Sequence, residues 1–111
     1  MATQREYVSP DQVLRLLVVV GDDGDISVGF DGCDWHTHGD LLAALTRVSE
    51  PEAVERFVQD VLGNHAVIAV SRMEGEVRDI WVSADPASEL QYLARGESLE
   101  LRYWDGRGWS A

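Results

Sequence analysis

Val13-Leu14-Arg15-Leu16-Leu17-Val18-Val19-Val20, then Gly21-Asp22-Asp23-Gly24-Asp25, then Ile26-Ser27-Val28-Gly29-Phe30, decides the fold. A β-branched, leucine-rich run breaks at a cluster of turn residues and resumes as an apolar–polar alternation, the pattern of a β-hairpin. The first strand is apolar on nearly both faces except at Arg15, which places it centrally in a sheet. The second strand has one apolar face, and Gly29 within it marks a bulge or a close backbone approach.

Downstream, the period changes. Asp40 to Val48 carries Leu41, Leu42, Leu45 and Val48 on one helical face. Ser49-Glu50-Pro51-Glu52 restarts the chain as a capping box, with proline in the first turn. Val54, Phe57, Val58, Val61 and Leu62 then recur with helical spacing, and Gly63-Asn64 closes the helix. Phe57 and Leu62 are expected in the core. A second hairpin over Ala66–Arg72 and Glu76–Ser83 turns at Glu74-Gly75. Asp85-Pro86 begins a short helix expected to run through Ala94, and Leu99, Leu101 and Tyr103 alternate in a last strand.

The order ββ-αα-ββ-α-β predicts a single α+β domain over residues 1–111, with a mostly antiparallel sheet of about five strands and helices on one face. Residues 1–10 are expected to be a loosely ordered N-terminal segment. The two successive hairpin-then-helix units hint at an internal duplication.

Composition restricts function. Twenty Asp and Glu against nine Arg, with no Lys, give a net charge of −11 over 111 residues. Nucleic acid and anionic membrane surfaces repel such a chain, because both are bound chiefly through cations. A basic protein partner is attracted. Leu16–Val20, the longest apolar run, is far short of a bilayer span. No secretory h-region opens the chain, and a single cysteine rules out an internal disulfide framework, so a cytoplasmic address is expected.

Chemistry-bearing residues concentrate in Asp31-Gly32-Cys33-Asp34-Trp35-His36-Thr37-His38-Gly39-Asp40. This segment belongs to the tract Leu16–Thr46, which holds Asp22, Asp23, Asp25, Asp31, Asp34 and Asp40 without one Lys or Arg. His36 and His38 point to the same side of an extended chain and offer a pair of metal ligands. The string His36-Thr37-His38-Gly39-Asp40 is similar to the start of the metallo-β-lactamase signature H-x-H-x-D-H. The closing histidine of that motif is Leu41 here, and the fold it belongs to needs about twice this length.

No third ligand is fixed by spacing, so no metal and no cofactor is expected. Cys33 has possible bases in His36 and His38, but Asp31 and Asp34 beside the thiol suppress the thiolate that a nucleophile needs. A simpler local account begins a helix near Asp40, whose carboxylate satisfies free N–H groups, with Trp35 packed over the helix start. At the C-terminus, Asp105-Gly106 folds Trp104 and Trp109 back as caps of the core. The competing arrangement is an exposed patch with Tyr103, Arg102 and Arg107.

The chain therefore reads as a non-catalytic module that binds a basic protein through Asp22, Asp23, Asp25, Asp31, Asp34, Trp35, His36 and His38. In size, charge and α+β build it resembles bacterial immunity proteins as a class. That resemblance implies an antidote that covers the cationic cleft of a basic toxin such as a nuclease, acting as a monomer or homodimer. The alternative is a small metal- or ligand-binding domain centred on His36 and His38.

Overall fold

The computed structural model describes residues 2–33, 35–91 and 93–110, with side chains described from Arg5 onward. The α+β class holds, but the strands divide into two antiparallel sheets where one was expected. β1 (Ala2–Val8), β2 (Arg15–Val20), β3 (Ile26–Phe30) and β4 (His36–His38) form the first, in chain order. Helices α1 (Gly39–Thr46) and α2 (Glu50–Leu62) follow. β5 (Val67–Met73), β6 (Glu76–Ser83) and β7 (Glu97–Arg102) form the second sheet in the order β6-β5-β7, with α3 (Pro86–Glu89) between the last two strands. The two sheets differ in strand order, so the two hairpin-and-helix units are not copies of one arrangement.

The N-terminal residues expected to be loose contribute β1, which covers one edge of β2. Tyr7 packs against the core and Arg5 makes an ion pair with Glu55 of α2, two anchors that the short polar sequence concealed. β2 is central, as its apolar composition predicts. It pairs with β3 so that Leu16 faces Phe30 and Val18 faces Val28 on one side, while Leu17 faces Gly29 and Val19 faces Ser27 on the other. The first side is the core: Leu16, Val18, Val28 and Phe30 cluster with Val54, Val58 and Val61 of α2 and with Ile68, Val70 and Ile80 of the second sheet. Each such side chain stabilises the fold by about 1.5–3 kcal/mol before entropy is counted.

α2 begins as its sequence predicts. Ser49 Oγ accepts from Glu52 N at 3.4 Å and Pro51 sits in the first turn. The Glu52 carboxylate does not close the box; it pairs instead with Arg56 one turn on. Phe57 is half-buried, packed on the core and stacked on Trp35 with ring centroids 6.3 Å apart. Phe57→Ala is therefore expected to cost about 3 kcal/mol, the low end for a truncated aromatic. A urea midpoint that does not move would show that this stack carries no stability.

Two helices depart from expectation. Leu41 and Leu45 of α1 are 52% and 72% exposed, whereas Leu42 packs against the core. α1 meets α2 closely at Gly39, where a Cβ would lie 2.7 Å from Glu50 Cγ. α3 is four residues long, not the longer helix expected through Ala94, and leaves Leu90 and Leu93 exposed. Its Glu89 is drawn back to the sheet by Trp81 Nε1 at 3.1 Å and Ser83 Oγ at 3.0 Å.

Arg102 closes the second sheet onto the first. It faces inward beside Ile68, is 2% exposed, and pairs with Asp11 of the β1–β2 loop at 2.8 Å. It also donates to the Tyr103 and Trp104 carbonyls. Trp104 is buried in the core and Trp109 half-buried, while Arg107 lies over the Tyr103 ring at 5.3 Å. Core capping by Trp104 is thus what the tail does.

Candidate functional site

The outer face of the first sheet brings half-buried aliphatics, two histidines and the turn carboxylates together. Leu17 and Val19 point away from the core, and no helix lies over them among the described residues; α1 and α2 lie against the opposite side. The sequence pattern of β2, apolar on both faces, is normally that of a strand covered on both. Here Leu17 and Val19 are half-buried with no helix over them among the described residues.

Across β3 the same face carries Ser27 and Gly29, and across β4 it carries His38 and His36 opposite them. Two small residues between a pair of aliphatics and a pair of imidazoles make a trough. Gly29 is required by packing: a Cβ would stand 2.8 Å from the Trp35 carbonyl oxygen and 3.1 Å from His36 Cβ. The close backbone approach read from the sequence is therefore between β3 and the start of β4. The trough deepens at both ends. A depression of about 340 Å³ lies toward the β2–β3 turn, lined by Asp23, Asp25, His36 and His38, and a smaller one of about 190 Å³ runs toward Asp31 and Cys33.

His36 and His38 stand side by side as their spacing predicts, ring centroids 4.8 Å apart and edge to face. His38 Nδ1 is 2.9 Å from Asp25 Oδ2. Among the described residues no group of three His, Cys, Asp or Glu side chains is arranged to hold a metal ion. Cys33 is partly buried against the core. Burial, then the carboxylates of Asp79 and Asp31, push its thiol above the ordinary range, so the thiolate form is suppressed. Asp79 lies far along the chain, and no local signal announces it.

The acidic tract does not form one cluster. Asp22, Asp23 and Asp25 occupy the β2–β3 turn, and Asp40 opens α1 beside β4 at the same end of the sheet. Asp31 lies at the other end of β3, close to Arg15. Asp22, Asp23, Asp31 and Asp40 are exposed. Asp34 lies outside the described residues. Trp35 does not cover the α1 start as expected; it inserts between Phe30, at 6.0 Å, and Phe57, and lines only the far end of the trough. The Asp40 carboxylate accepts from Leu41 N at 2.7 Å, the local role its position predicts.

The apolar composition of both faces of β2 is visible in the sequence, but not which face the helices leave bare.

No protein-family model matches the chain, and no curated protein or solved structure matches it. Among the described residues no helix is long and apolar enough to cross a membrane.

Proposed function

We propose that this protein binds a basic protein partner, without catalysis, through the outer face of its first sheet. The half-buried strip of Leu17 and Val19 on this outer face, beside the turn carboxylates, carries this reading. Such a strip supplies the desolvated centre of an interface, and the surrounding carboxylates give partner choice and a faster encounter. A concrete form is a cytosolic immunity or antidote protein that covers the cationic cleft of a basic toxin such as a nuclease. The net charge of −11 favours such a cleft and disfavours nucleic acid itself.

The test is a pair of double reversals of equal charge. Asp22→Lys with Asp31→Lys changes both ends of the face, and Glu74→Lys with Glu76→Lys changes the exposed β5–β6 turn. Glu97 is unsuited as a control because it accepts from Ser71 Oγ and Ala94 N within the fold. Chemical crosslinking in the source cell, followed by affinity measurement on the basic protein recovered, should give about tenfold or more weakening for the first pair and little for the second. Equal effects from the two pairs would reduce the acidic tract to a solubilising surface.

A further inference from the structure

We infer that the turn end of the trough is a slot for one cationic side chain of the partner, arginine in particular. The inference rests on the docking reading above and names what that face takes. The two carboxylates at this end each have one oxygen already engaged. Asp23 Oδ1 accepts from Asp25 N at 3.0 Å, and Asp25 Oδ2 is paired with His38 Nδ1 at 2.9 Å. Those two contacts hold one oxygen of each carboxylate on the hairpin and leave the second, Asp23 Oδ2 and Asp25 Oδ1, for a partner.

Two carboxylates beside an aliphatic floor favour a group that is all donors at its tip and all methylene along its stem. Lysine and arginine both have that form. Arginine fits better: its planar guanidinium spreads five donors over separate acceptors, sheds water more readily than an ammonium, and packs flat against ring walls such as the two imidazoles. The depression holds about 340 Å³, ample for one such side chain, with Val19 and Ser27 beneath the stem. Exposure is also suited to the role: His38 and Asp25 are 50% and 36% exposed, reachable yet held by each other.

The experiment is a titration of the isotope-labelled full chain with Nα-acetyl-arginine methylamide, read by amide chemical shifts. The citrulline analogue, of the same shape without the charge, is the comparison. The arginine compound should give saturable shifts at Val19, Ser27 and His38, and citrulline none. The affinity should fall about tenfold in Asp25→Asn and in Ser27→Trp, which fills the trough from its outer side without changing net charge. Ser27→Leu replaces the tryptophan variant if the latter does not fold. Equal shifts with citrulline, no shifts with arginine, or arginine binding that survives Ser27→Trp would each overturn the slot.

An octa-arginine peptide separates the two readings. Salt-sensitive binding that weakens with the Asp22 and Asp31 reversals but ignores Ser27→Trp leaves acidic docking standing and the slot refuted. Binding that ignores both sets of variants refutes both.

Discussion

Arg102→Met is expected to destabilise the protein by about 3 kcal/mol, the upper end for leaving buried acceptors unsatisfied, because the Asp11 carboxylate is 34% exposed and rehydrates. The guanidinium is 2% exposed and is held by three groups: the Asp11 carboxylate and the carbonyls of Tyr103 and Trp104. Methionine fills much of the volume but strands the two carbonyls. Asp11 in turn accepts from the Ser9 hydroxyl at 2.7 Å and from Val13 N, so the loss propagates into the β1–β2 loop.

The pH dependence has a defined sign. Arg102 first, and the Ser9 hydroxyl second, hold the Asp11 carboxyl well below the usual carboxylate range. A depressed folded pKa makes this contribution complete above the unfolded value near 3.8 and drains it as pH falls from there through the folded value. Acid unfolding of Arg102→Met should therefore be less steep below about pH 4 than that of the wild type. Urea unfolding at neutral pH measures the main effect; a loss under about 1 kcal/mol would mean that water satisfies these groups without Arg102.

Trp104→Ala is expected to cost about 3–5 kcal/mol through the cavity it leaves. Trp104 is 6% exposed and belongs to the central cluster, while the neighbouring Tyr103 and Arg107 stack on each other further out. Its carbonyl also receives Arg102 Nη2, so the two substitutions share a network and their costs should not add. Denaturant unfolding of both single variants and the double variant tests this. A cost below about 1 kcal/mol for Trp104→Ala would place the indole at the surface and revive the aromatic patch as a binding site.

Local chemistry made several parts of the fold legible from sequence. The β2–β3 hairpin follows from its alternation and turn residues, and α2 from Ser49, Pro51 and the Val54–Val58–Val61 stripe. The Glu74-Gly75 turn adopts left-handed conformations at both residues, φ 54° and 88°. Long-range pairing was not legible. β1 is polar and lacks a clear alternation, and its order depends on Tyr7 and Glu55, which only the folded chain brings near. The division into two sheets, the inward turn of Arg102 toward Asp11, and the placing of Asp79 beside Cys33 all join residues far apart in sequence.

The site was half visible for the same reason. The spacing of His36 and His38 put them on one side, and Gly29 was read as a close approach. That Leu17 and Val19 are only half-buried was hidden, because a strand apolar on both faces gives no sign of which face the helices will leave bare. The acidic tract looked continuous along the chain, yet the length of β3 separates Asp31 from the turn aspartates.

Docking of a basic protein on the outer face of the first sheet should leave a hydrogen-exchange footprint when that partner is bound. Exchange should slow at the β2–β3 turn around Asp22–Asp25, at Asp31 and Gly32, and along His36–His38, with the β5–β6 turn and the 103–109 tail unchanged. Protection confined to β6, the tail or the exposed edge of α1 would contradict it.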